Sequence, residues 1–96
     1  MFDLNNKVAI VTGASRGIGK TIATTFANAG AHVVCVARTT DKIEHLSKKI
    51  NSNGGSESHA SCDIGSKENI YDMMQNVILE YGKIDILVNN AGITKD

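Results

Sequence analysis

The sequence contains no proline, no low-complexity tract and no internal repeat, so nothing in its 96 residues marks an interdomain linker. That length allows one domain at most. Charge of one sign is lacking too. Ten basic side chains balance ten acidic ones, which leaves no electrostatic footprint for a nucleic acid or an anionic membrane surface as partner. Apolar runs extend only a few residues, against the ~20 needed to span a bilayer. The opening MFDLNNK has neither the basic start nor the apolar core of a signal peptide. Cysteine is scarce: Cys35 and Cys62 stand alone in strand-like contexts. They read as reduced, buried thiols of a cytoplasmic protein rather than as a disulfide framework. His32, His45 and His59 lack metal-ligand spacing, so no metal site is expected.

What is present is an alternation of short apolar runs and amphipathic stretches. Residues 7–12, KVAIVT, form a continuous, β-branched run, the pattern of a parallel strand buried on both faces. A helical stretch follows and ends near Asn28. Ile18, Ile22 and Phe26 recur at i, i+4 and i+8 on its expected apolar face, with Ala23 and Ala27 beside them. Gly30 is placed to close it. Residues 32–37, HVVCVA, make the second strand. The next helix opens at Asp41, with Glu44 three residues on as in a capping box, and Ile43, Leu46 and Ile50 form its stripe. NSNGG at residues 51–55 ends it. A third strand is required by the rhythm within residues 57–63, ESHASCD, although that stretch is polar and has no β-branched residue. A long helix with Ser66 as N-cap carries Ile70, Met73, Met74, Val77, Ile78 and Tyr81 and stops at Gly82; residues 84–89, IDILVN, form the fourth strand. The order β-α-β-α-β-α-β predicts the α/β class, a Rossmann-type doubly wound parallel sheet with strand order 3-2-1-4. Residues 1–96 then make up the N-terminal part of a single domain.

The chemistry-bearing segment is TGASRGIG, residues 12–19, where a strand ends and a helix begins. A helix start presents backbone N–H groups without internal partners and the positive end of the helix dipole, and a diphosphate satisfies both. Gly13 permits a tight turn, Gly17 lets the backbone approach the phosphates, Gly19 lets the helix pack closely, and Ser15 can donate a hydroxyl. The overlapping ASRGIGKT, residues 14–21, resembles a P-loop with its first glycine replaced by Ala14; Lys20 and Thr21 would then serve the phosphates and Mg²⁺. That alternative needs an apolar strand ending in Asp, whereas IDILVN ends in Asn89, and it leaves residues 89–92 unexplained.

An NAD site usually carries an Asp or Glu at the end of the second strand for the ribose 2′-hydroxyl. Here that strand ends in Ala37 and continues with Arg38. A guanidinium pairs with a 2′-phosphate where a carboxylate repels it, and Arg16 in the turn supplies a second cation. The expected cofactor is NADP(H).

TGASRGIG and NNAG, residues 89–92, together resemble the short-chain dehydrogenase/reductase family, and the likeness covers essentially the whole chain. The resemblance implies that Asn90 stabilises the central sheet, that Ala91 and Gly92 pass close to the adenosine ribose, and that Asp63, followed by Ile64, holds the adenine amino group. With the turn residues Gly13, Ser15, Arg16, Gly17, Ile18 and Gly19 and with Arg38, these are the expected cofactor contacts. The continuation NNAGITKD is similar to members that reduce a 3-oxoacyl thioester on acyl carrier protein or CoA to the 3-hydroxy form in fatty-acid biosynthesis, as homotetramers. Lys95 stands where those members usually carry Arg.

Family catalysis implies a Tyr with a Lys four residues later. Tyr71 is followed at that spacing by Gln75 and Tyr81 by Asp85, so no catalytic residue is expected here. The chain is expected to be the cofactor-binding front of a longer oxidoreductase, inactive by itself. A non-catalytic dinucleotide-binding module is the alternative.

Overall fold

The computed structural model describes residues 3–14, 17–38 and 41–90. Four strands and three helices alternate: β1 (Val8–Thr12), α1 (Gly17–Asn28), β2 (His32–Ala37), α2 (Asp41–Ser52), β3 (Ser56–Ser61), α3 (Lys67–Tyr81) and β4 (Ile86–Val88). The strands form one sheet in the order β3-β2-β1-β4, with every neighbouring pair parallel. This is the order expected of a Rossmann-type fold.

The side-chain alternation of the strands explains why the apolar runs are continuous. Val11, Val33 and Cys35 point to one face, where Ala23 and Ala27 of α1 and Ile43, Leu46 and Ile50 of α2 cover them. Val8, Ile10, Val34 and Val36 point to the other, against Met73 and Val77 of α3. Both faces are dry, so neither can be polar. Each Val or Ile so buried contributes roughly 1.5–3 kcal/mol before conformational entropy is counted.

Local signals set most helix ends. Ser66 accepts from Asn69 N through its hydroxyl (3.1 Å) and caps α3; Gly82 closes that helix in the left-handed region and donates to Ile78 O (2.8 Å). Asp41 departs from the capping-box expectation. It lies inside the first turn of α2, where its charge complements the helix dipole, and the residues before it fall outside the described set.

Three further expectations are corrected in detail. The buried stripe of α1 is Gly19, Ala23 and Ala27, while Ile22 and Phe26 are only partly buried and Ile18 is 70% exposed. Small side chains win this face because they bring the helix axis close to the sheet. Ile78 is likewise exposed on α3. Strand β4 is shorter than residues 84–89, since its ladder to β1 runs only from Ile86 to Val88.

Strand β3 forms despite its polar sequence because all six residues pair with β2. Its small Ser58 and Ala60 leave a cavity of about 270 Å³ against Met73, Val77 and Tyr81. Among the described residues no helix is long and apolar enough to cross a membrane.

Candidate functional site

All four strands run in parallel, so their C-terminal ends share one edge of the sheet. From β1 the chain moves outward to β2 and β3 and then returns to β4 on the other side of β1. This reversal opens a crevice between the β1 and β4 ends, the position where doubly wound sheets bind ligands.

At that edge β1 gives way to the turn before α1. Gly13 adopts φ 66° and its N–H bonds Val36 O (2.9 Å), which ties the turn to β2. A Cβ at Gly19 would collide with the Gly13 carbonyl and lie 2.8 Å from Asn90 Nδ2. Helix α1 therefore packs onto the turn and onto the end of β4, a closeness that only glycine permits. At Gly17, φ is 60° and a Cβ would meet nothing within 4 Å. Among the described residues nothing fills the position beside Gly17, and a helix start leaves its first N–H groups without intrahelical partners. Ser15 and Arg16 lie outside the described residues. Thr21, assigned to a metal in the P-loop alternative, donates its hydroxyl to Gly17 O (3.3 Å).

The β1 and β4 ends are clasped by side chains. Asn90 N donates to Thr12 Oγ1 (2.8 Å) and Asn90 Nδ2 to Gly13 O (3.3 Å). Thr12 Oγ1 is also within hydrogen-bonding distance of Val88 O (3.3 Å) and Asn89 Oδ1 (3.2 Å). Ala91 and Gly92 lie outside the described residues.

On the other side of the turn, β2 ends at Ala37 and β3 at Ser61. Cys62 N donates to Ala37 O (3.0 Å) and Ser61 Oγ to Arg38 O (2.7 Å). These bonds bring Arg38 and Asp63 together, with Arg38 Nη2 3.4 Å from Asp63 Oδ1. Gly65 N also donates to Asp63 Oδ1 (3.0 Å), which fixes the carboxylate, and Ile64 beside it is partly buried.

Thr12 and Asn89 form a clasp that sequence reasoning did not single out. Asp85 is a second omission, at the opposite end of β1. Its carboxylate accepts from Val8 N (2.8 Å) and its own N–H bonds Val8 O (2.8 Å). The Val8 N–H, with Lys83 Nζ 3.2 Å away, holds the Asp85 carboxyl below its ordinary range. A carboxylate just past the Gly82 cap and before an apolar run is the only sequence signal for it.

Tyr71 is exposed on α3. Tyr81 donates to Ser58 Oγ (2.8 Å) and its ring centroid lies 4.4 Å from that of His32. His32 begins β2, so this cluster sits roughly 17 Å from the site, at five strand steps. Burial pushes the thiols of Cys35 and Cys62 up, which disfavours the reactive thiolate of both. Among the described residues no cluster of three His, Cys, Asp or Glu could hold a metal.

Comparison with known proteins fits this geometry. Residues 7–96 match the family model described as short chain dehydrogenase. The 3-oxoacyl-[acyl-carrier-protein] reductase FabG of Staphylococcus epidermidis is 41% identical over 92 residues, covering 95% of this chain and 38% of the reductase. A metagenomic short-chain oxidoreductase solved in complex with NADP superposes with TM-score 0.91 at 40% identity, over 94% of this chain and 41% of that one. A 7 alpha-hydroxysteroid dehydrogenase solved with NADH and 7-oxo glycochenodeoxycholic acid gives TM-score 0.88 at 46% identity, over 94% and 35%. The chain spans about a third of the length of the curated relatives it matches. The glycine turn, the parallel sheet in the order 3-2-1-4 and the family match agree, and the chain belongs to the short chain dehydrogenase family.

Proposed function

We propose that this chain is the cofactor-binding part of an NADP(H)-dependent oxidoreductase. The observation that carries the reading is the uncrowded start of α1 at Gly17, flanked on one side by the Arg38–Asp63 pair and on the other by Asn90. The diphosphate rests on the backbone of Gly13, Gly17 and Gly19, with Ser15 and Arg16 contributing side chains and the exposed Ile18 covering one side. Arg38 meets the 2′-phosphate. Asp63 accepts from the adenine amino group with Ile64 beside it, and Ala91 and Gly92 border the ribose.

These residues fit such a group. The space above Gly17 admits a ligand, the helix end stabilises its negative charge, and the Arg38 guanidinium is 80% exposed at the cofactor edge. When bound, NADPH supplies a hydride to the substrate. The described residues bind and orient it, and none of them is assigned a proton-transfer role.

The substrate we propose is a 3-oxoacyl thioester on acyl carrier protein or CoA, reduced to the 3-hydroxy form by a cytoplasmic homotetramer. Support comes from the NNAGITKD stretch and from the 41% identity to a 3-oxoacyl-[acyl-carrier-protein] reductase.

The test is Arg38→Asp. The substitution weakens NADPH binding and shifts preference to NADH; an unchanged NADPH/NADH ratio would overturn the 2′-phosphate assignment.

A further inference from the structure

We infer that Asp63 tunes the choice between the two nicotinamide dinucleotides by acting as a resident counter-ion of Arg38, one that a ribose 2′-phosphate has to displace. The inference rests on the dinucleotide reading above and adds a function for Asp63 beyond contact with adenine.

The geometry is that of a fixed anion and a movable cation. The Asp63 carboxylate is held by Gly65 N at 3.0 Å, and its backbone carbonyl accepts from Ser66 N at 3.0 Å, at the cap of α3. The Arg38 backbone is held as firmly by Ser61 Oγ at 2.7 Å. The guanidinium, however, ends a long side chain that is 80% exposed, and its bond to Asp63 Oδ1 at 3.4 Å is long. An exposed pair of this kind is weak and readily exchanged.

The two dinucleotides place different demands on that pair. A 2′-hydroxyl leaves Arg38 on Asp63. A 2′-phosphate, with nearly two negative charges and three acceptor oxygens, draws the guanidinium away. Asp63 is then left close to the phosphate without its partner. The opposition is specific to the phosphorylated dinucleotide, because the adenine contact is common to both. In consequence the site accepts NADH while preferring NADPH.

The experiment measures dissociation constants of NADPH and NADH for the protein and its Asp63→Asn variant by calorimetry, with thermal melts as a check on folding. Asparagine keeps the side-chain size and an acceptor for Gly65 N but removes the charge. The ratio Kd(NADH)/Kd(NADPH) should rise about three- to tenfold, the scale of one charge a few ångströms from a dianion at a solvated surface. Asp63→Ser, which also removes the charge, should move the ratio in the same direction and serves if asparagine disturbs the turn. A ratio that is unchanged or lower in a folded variant would overturn the inference, since a role confined to adenine weakens both dinucleotides alike. A wild-type protein that binds NADPH no more tightly than NADH would instead overturn the assignment of Arg38 to the 2′-phosphate.

Discussion

The hydroxyl of Thr12 accepts a hydrogen bond from the backbone N–H of Asn90 at 2.8 Å, across a sequence separation of 78 residues. It joins the last residue of β1 to the segment just beyond β4, at the crevice where the strand order reverses. Thr12 is almost fully buried, and water cannot easily replace it as a partner. Thr12→Val keeps the shape and removes the acceptor. It should destabilise the fold by about 1 kcal/mol, the scale of one lost hydrogen bond to a part-buried donor. Thr12→Ser should recover most of that loss. Urea unfolding of the two variants checks it, and equal midpoints for Val and wild type would show that the clasp contributes nothing.

Acid sensitivity should arise in two windows. Burial holds the His32 imidazole below its ordinary 6.5, against the opposing pull of Glu57 and Glu80. The folded state therefore favours neutral His32. Its contribution is fully present above pH 6.5 and fades as the pH falls toward the depressed value. Asp85 adds a second window. Its carboxyl lies below the ordinary 3.8, mainly through the Val8 N–H bond. That contribution is present above 3.8 and is lost as the pH falls through the depressed value. Thermal melts from pH 7.5 to 3 should show His32→Gln flattening the first decline and Asp85→Asn the second.

Glu57 is a liability on β3. Its side chain is fully buried, and its polar neighbours among the described residues are His59 Nδ1, 3.5 Å from Oε2, and the Cys35 thiol, whose ionisation its charge opposes. The register places Glu57 opposite Val33, so it shares the face covered by α2. Replacing buried ionic groups of this kind with apolar side chains often stabilises. Glu57→Leu should raise stability by about 1–3 kcal/mol, measured by chemical denaturation, and a lower midpoint would show that the carboxylate has a structural partner.

Strands β1 and β2 were legible because both faces of each are dry, so each appears as an unbroken β-branched run. The Ser66 and Gly82 ends of α3 were legible because capping is local. Strand β3 was legible only from the alternation of elements, because its place is set by pairing with β2 rather than by its own composition. The apolar period of α1 pointed to Ile18, but the requirement for close approach turned Gly19, Ala23 and Ala27 inward. The close packing of α1 on the turn could be anticipated from the glycine spacing, since a Cβ at Gly19 would collide with the Gly13 carbonyl. Thr12 and Asp85 could not be read in the same way, since each acts on a residue more than seventy positions away.

The most direct measurement is a crystal structure of the protein with NADPH bound. The diphosphate is predicted to sit on the backbone of Gly13, Gly17 and Gly19 at the head of α1, with the adenosine directed toward Arg38 and Asp63. A nucleotide bound elsewhere, with this turn empty or filled by a side chain, would contradict the account.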